Sequence, residues 1–345
     1  MAASLGNCII GQVGAMDEHD VAAGWRRFQR NWIPIGLMSA ALALSVALTR
    51  FSIGLSGLAI PLGFVMLYAG FAYANAYSMS RRDPQVIFAL GSTAQIVLIT
   101  AVAPPLTYVA AATNLPLRDA ELLALDRSLG LDWAAYVAWV NDRPLLSGWL
   151  DYGYGMIRWP LFAIPVILTA ARHYSRLQDF TLAFALGLIT TTIVSALVPA
   201  IGVYQQIGLD PSHLGNLNAQ AYLDQVRDLA PVREGALRHL ELFALAGIVT
   251  FPSFHAASAV LYGWALWPVR WFRPATVLAN GAMLASTPIN GGHYFVDLLA
   301  GIAVAALSIV AARRLNREPA QRFNQAIAAG EEAFAAVGAN ATPGE

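Results

Sequence analysis

Eight apolar runs, at about 32–49, 53–77, 86–111, 154–171, 180–201, 253–269, 275–289 and 293–312, leave this chain few places to fold other than a lipid bilayer. A backbone buried in hydrocarbon satisfies its own polar groups only as a helix or a closed barrel, and uninterrupted runs of this length read as helices. The expected fold is all-α: a polytopic membrane helical bundle of about eight transmembrane helices. With 57% hydrophobic and 12% charged residues over 345 positions, the composition excludes an ordinary soluble domain. Pro104 and Pro105 fall inside the third run and predict a kink or its end.

The basic residues orient the bundle. All 21 are arginine, which excludes a Schiff base or a lysine phosphate site, and the net charge of zero argues against nucleic acid as a partner. Arg26, Arg27, Arg30, Arg81, Arg82, Arg172, Arg176, Arg270, Arg273, Arg313, Arg314, Arg317 and Arg322 fall on one side of an eight-span arrangement. Short cytoplasmic loops retain positive charge, so both termini are expected in the cytoplasm of a multi-pass protein of the plasma (inner) membrane. The opposite side receives Arg50 and two long loops. The expected organisation is a cytoplasmic tail (1–31), three N-terminal transmembrane helices (32–111), an outer loop with an amphipathic helix (112–153), a transmembrane core (154–312) containing the outer loop 202–252, and a cytoplasmic tail (313–345). Residues 1–31 lack an apolar core, so no cleavable signal is expected. The sole cysteine, Cys8, excludes an internal disulfide and a cysteine metal cluster.

In the first outer loop Leu122, Leu125, Leu129, Trp133, Tyr136, Val137 and Val140 recur at helical spacing, with Asp126, Arg127 and Asp132 between them. This is an amphipathic helix, lying in the interface or packed on the bundle. The second loop, with Gly, Asn and Pro turns around 210–218, caps a site or shapes an acceptor pocket.

Two short stretches carry chemistry. In Gly291-Gly292-His293-Tyr294-Phe295-Val296-Asp297 the histidine and the carboxylate lie one helical turn apart, so Asp297 can hold one imidazole nitrogen and leave the other free. His293 is then a nucleophile at phosphorus, and the two glycines let backbone N–H groups approach a ligand. In Pro252-Ser253-Phe254-His255, Ser253 caps a helix start whose free N–H groups suit a phosphate, and His255 is placed to protonate a leaving alkoxide. Two crossings separate the histidines, which brings them to one membrane face. Only the loop residues His213 and His239 could add a third imidazole there, so no metal is expected. The competing reading is polar residues joining helices. The run 253–269 spans only about 26 Å as a helix, which sets the site at or below headgroup level and makes a lipid-borne phosphate the natural substrate.

At these residues the chain resembles the type 2 phosphatidic acid phosphatase superfamily. That family's Pro-Ser-Gly-His motif appears as Pro252-Ser253-Phe254-His255. Its motif of Ser-Arg, five residues, His, three residues and Asp appears as Ser286-Thr287, five residues, His293, three residues and Asp297. The resemblance implies a six-helix phosphatase-type core, with His293 as nucleophile, Asp297 as its partner and His255 as the acid. Thr287 stands where the family has a phosphate-binding Arg, and the family's Lys and Arg-Pro motif is absent. Both departures, with Asp151-Tyr152-Gly153-Tyr154-Gly155, are similar to the branch of inositol phosphorylceramide synthase, over about 112–305. The phosphate then needs another counter-charge: Arg158, favoured for its place at the head of a span, or Arg233 or Arg238.

The expected protein is a metal-independent membrane phosphotransferase without cofactor, working at the outer face. It carries a phospho-headgroup from a lipid-linked phosphate to an alcohol through a phosphohistidine, with His293, Asp297 and His255 catalytic and Ser253, Gly292 and Arg158 binding phosphate. The alternatives are a lipid phosphate phosphatase with water as acceptor, and a non-catalytic transporter or scaffold.

Overall fold

The computed structural model describes residues 2–78 and 82–317, with side chains from Asp20 onward; the side chain of Cys8, Arg81, and the segment 318–345 with Arg322 lie outside what it describes. Thirteen α-helices follow in order among these residues: α1 (Ala2–Leu48), α2 (Leu55–Tyr77), α3 (Pro84–Ala111), α4 (Asp119–Ser128), α5 (Trp133–Asn141), α6 (Pro144–Gly155), α7 (Pro160–Ala170), α8 (Tyr174–Leu197), α9 (Val203–Ile207), α10 (Gln220–Glu234), α11 (Phe254–Leu266), α12 (Arg273–Asn290) and α13 (Phe295–Leu315). The only strand pairing described is a parallel two-residue match of Ser52–Ile53 with His239–Leu240. The all-α membrane bundle is therefore the fold.

Five helices are long and apolar enough, by length and composition, to cross a bilayer: α1 from Asp20, α2, α3, α8 and α13. The α6 and α7 pair, bent by 67° at its break, makes a sixth if it counts as one span. Of the eight apolar runs, those of α11 and α12 fall short of that measure. Thirteen residues of α11 reach only about 20 Å, and α12 is diluted by Arg273, Asn280, Ser286, Thr287 and Asn290. Both are nevertheless built into the bundle, α11 against α8, α12 and α13, and α12 against α6.

Residues 2–31 are the first part of α1, and Asp20 among them accepts from the amides of Tyr174 and Ser175, capping the start of α8. Pro104 and Pro105 neither end nor split α3, which continues to Ala111; Thr107 Oγ donates to the Pro104 carbonyl at 2.7 Å.

The main core joins α1, α3, α7, α8, α11 and α13 around Phe28, Ile99, Phe180, Leu261 and Ala305. A buried polar seam crosses it. Asn31 donates to Gln178 Oε1 at 3.2 Å, Gln178 to Ser92 at 2.7 Å, and Asn316 to Asp179 at 2.8 Å, with Arg27 pairing Asp179 at 3.2 Å. In a bilayer such bonds hold helices together where the hydrophobic effect does not. A second cluster, with Trp133, Tyr204, Tyr222 and Tyr294, packs the loop helices over the start of α13.

The expected amphipathic helix of the first loop is divided into α4 and α5, with Gly130 at φ +73° between them. Leu122, Trp133, Val137 and Val140 are buried while Leu125 and Leu129 are exposed.

Candidate active site

The site is assembled where α11 and α13 begin. Tyr294 caps α13, and Asp297, in its first turn, takes two hydrogen bonds on Oδ2: 2.9 Å from the Tyr294 amide and 3.2 Å from His293 Nδ1. A carboxylate is favoured at a helix N-terminus, and one that accepts from Nδ1 leaves Nε2 of His293 as the nitrogen with a lone pair to offer. Both side chains are buried, His293 at 3% and Asp297 at 0% exposure, so the pair is held in one geometry.

A second carboxylate finishes that helix start. Asp126, from α4, accepts from the amides of Phe295 at 2.9 Å and Val296 at 2.8 Å. Burial pushes the Asp126 carboxyl above its ordinary value, and these two amides pull it part of the way back. Asp119, at the start of α4, accepts from the amides of Ile201 and Gly202 and from the Tyr294 hydroxyl at 2.9 Å. Burial, together with the neighbouring Asp119 carboxylate, holds the Tyr294 phenol well above its ordinary range, so it stays a donor. The free N–H groups at the head of α13 are thus taken by carboxylates.

His255 reaches the same place through the backbone. Ser253 caps α11 by accepting from the Ala256 amide at 3.3 Å, and its own amide donates to the Asp297 carbonyl at 3.0 Å. Gly301, one turn beyond Asp297, permits this contact, since a methyl group there would overlap the Ser253 carbonyl oxygen. The His255 ring then stacks on Tyr154 of α6, with centroids 4.0 Å apart and planes 15° apart.

His255, His293, Gly291, Tyr154 and Arg158 line one cavity of about 940 Å³, whose remaining walls come largely from apolar side chains of α2, α3, α7 and α8. The second loop closes it with Gln225, Leu242 and Phe243. Arg158 is exposed at the break between α6 and α7, and its guanidinium has no partner among the described residues. The other two counter-charge candidates are engaged: Arg233 with the Leu115 carbonyl, Arg238 with the Val232 carbonyl and the Phe51 ring.

Ser253 and Gly292 are not on the cavity wall. Gly292 sits at φ +64° with Tyr222 Cδ2 2.5 Å from where its Cβ would be, and its amide donates to Ile289. Its part in the site is the tight turn and the close approach of Tyr222. The Thr287 hydroxyl is turned back to the Met283 carbonyl at 2.7 Å. Among the described residues no group of three His, Cys, Asp or Glu is placed to hold a metal ion.

Asp119 and Gly301 carry no role in the sequence pattern, Tyr154 enters it only within the stretch 151–155 that carries the family resemblance, and Asp126 only as a polar position of the amphipathic helix. Gly301 is marked as a glycine inside an otherwise regular helix.

No curated protein and no solved structure matches the chain. A family model described as the PAP2 superfamily matches residues 120–311, which run from the second residue of α4 through most of α13 and include His255, His293 and Asp297. Members of that superfamily are in general phosphatases and phosphotransferases. The chain belongs to the PAP2 superfamily.

Proposed function

We propose that the protein is an integral membrane phosphotransferase that moves a phospho-headgroup from a lipid-linked phosphate to an alcohol. The observation that carries this reading is the convergence of His255 and an Asp297-held His293 on one largely apolar cavity. A polar reaction centre at the head of an apolar chamber suits a substrate with a phosphate at one end and hydrocarbon at the other.

In the first step Nε2 of His293 attacks phosphorus, the bond from phosphorus to the leaving oxygen breaks, and protonated His255 gives that oxygen its proton. In the second step the acceptor hydroxyl passes its proton to His255 and attacks phosphorus, releasing His293. Asp297 orients the ring throughout and balances its positive charge. Arg158, unpaired at the cavity mouth, supplies the counter-charge to the phosphate.

The basic residues at the helix ends remote from the histidines, among them Arg27, Arg172, Arg270 and Arg314, support an outer-face site in the inner membrane with both termini cytoplasmic. The test is turnover of phosphatidic acid by the full-length protein in proteoliposomes, with and without inositol. Diacylglycerol, from the first step, and inositol phosphate, from the second, are expected. Release of phosphate alone identifies the phosphatase, with water as acceptor, and no turnover by the parent protein, or full turnover by H293A, overturns the enzymatic reading.

A further inference from the structure

Tyr154 is the penultimate residue of α6, just before the 67° bend into α7. Tyrosines in a protein interior normally place the hydroxyl on an acceptor. Here Tyr108 gives its hydroxyl to Asp228, Tyr136 to the Ala285 carbonyl, Tyr204 to the Ile289 carbonyl, Tyr262 to the Ile157 carbonyl and Tyr294 to Asp119. The Tyr154 hydroxyl has no partner among the described residues, although its ring is fixed against His255.

What that hydroxyl faces follows from Gly291. The point at which a Cβ of residue 291 would stand is 3.0 Å from the Tyr154 hydroxyl, 3.1 Å from His293 Nε2 and 2.6 Å from His293 Cδ2. Glycine therefore keeps open a gap between the phenol and the one imidazole nitrogen that Asp297 does not hold. Gly291, Tyr154, His255 and His293 also share the same cavity. A group in that cavity bonded to Nε2 has the phenol beside it as an unspent donor.

We propose that Tyr154 is a catalytic residue whose hydroxyl donates a hydrogen bond to a non-bridging phosphoryl oxygen while phosphorus is transferred to His293, its ring meanwhile holding His255. The assignment rests on the phosphoryl-transfer reading above and deepens it. Charge in such a transition state is spread over the equatorial oxygens, and a donor fixed beforehand at one of them lowers the barrier. Tyr154 keeps its own proton throughout: the bond from Nε2 to phosphorus forms, the bond to the leaving oxygen breaks, and the proton that moves is that of His255. A neutral donor here takes up part of the task of the arginine that Thr287 replaces.

Tyr154→Phe keeps the stacked ring and removes the donor. In the full-length protein in mixed micelles with phosphatidic acid, kcat is expected to fall about 100-fold with KM changed by no more than about twofold. Direct binding of orthovanadate, a five-coordinate phosphoryl mimic, should weaken at least about tenfold. Gly291→Ala provides a second arm, since it places a methyl group between the phenol and Nε2 and removes neither; it should lose vanadate binding and turnover together. Wild-type kcat and wild-type vanadate affinity in Tyr154→Phe overturn the assignment, as does equal loss of both in a variant whose thermal unfolding shows it misfolded while Gly291→Ala behaves as wild type. If the parent turns over no lipid phosphate, the function falls, and vanadate binding alone decides Tyr154: a tenfold difference keeps it and equal or absent binding ends it.

Discussion

The amide of Ser253 donates to the carbonyl of Asp297 at 3.0 Å, so the residue that caps the His255 helix is bonded to the residue that holds His293. Two sequence motifs nearly forty residues apart in the chain are joined by one backbone bond. The starts of the two helices that carry the imidazoles are thereby tied by main chain, which does not change rotamer, and the proposed reaction requires such fixed placement of its two histidines.

Gly301 is the residue on which that bond depends. Gly301→Ala would drive its methyl group into the Ser253 carbonyl and to 3.1 Å from the Ala256 Cβ, forcing α11 and α13 apart. Overpacking of this kind costs about 1–3 kcal/mol. A lower Tm in detergent and a larger fall in kcat than the stability loss explains are expected, and an unchanged Tm with unchanged kcat would show that the contact is soft.

Asp297→Asn keeps the size of the side chain but lets an amide face Nδ1, which favours the tautomer with its proton on Nε2. A fall in kcat of roughly 10³ or more, with KM little altered, is expected from the corresponding logic of triad carboxylates. Rapid-quench trapping of the acid-labile phosphoenzyme provides the measurement; a normal burst in Asp297→Asn would remove Asp297 from the mechanism.

The parts of this molecule legible in the sequence are those with short-range causes. A histidine and a carboxylate four residues apart at a helix start announce their contact, and apolar runs announce helices. Run length says nothing of where a helix stops, which is why α11 and α12 are less plain: Leu266 ends α11 early, and polar residues spread along α12 are hidden by their apolar neighbours. Asp126 and Asp119 were illegible for another reason. Each lies about 170 residues from the amide or hydroxyl it serves on α13, and no local pattern encodes such a partner.

Asp126 offers a direct check of that long-range cap. Asp126→Ala leaves the buried amides of Phe295 and Val296 unpaired, a loss of about 1–3 kcal/mol, while Asp126→Asn keeps one acceptor and should lose less. Burial holds the folded-state pKa of this carboxyl above its unfolded value, so its stabilising contribution is complete below about pH 4 and declines as pH rises through the raised value. The carboxamide of the Asp126→Asn variant does not ionise. The Tm advantage of wild type over that variant should therefore shrink as pH rises above about 4, and a growing advantage would contradict the sign of the shift.

Arg158 separates binding from chemistry. Its guanidinium is unpaired at the cavity mouth, and a charge-assisted bond to phosphate is worth about 1.5–3 kcal/mol, so Arg158→Gln should raise KM for a lipid phosphate roughly 10- to 100-fold. Arg158→Lys retains the charge without the fork and should recover only part of this. Unaltered kinetics in both variants would leave Arg158 a headgroup-facing anchor, and the phosphate's counter-charge would lie elsewhere.

The face of the membrane can be read with a single thiol. Cys8 is the only native cysteine, so Cys8→Ser provides a background without one. Ser212, exposed in the second loop beside the site, and Arg317, exposed beyond α13, stand at opposite ends of the bundle. With the histidines on the outer face, Ser212→Cys should react with a membrane-impermeant maleimide in intact spheroplasts, and Arg317→Cys only after permeabilisation. Arginine retention on the cytoplasmic side is the force behind this orientation, and it acts through loops close to the helix ends, where Arg172, Arg270 and Arg314 lie. The reverse labelling pattern would turn the protein over, put the cavity mouth in the cytoplasm and require a cytoplasmic pool of acceptor alcohol.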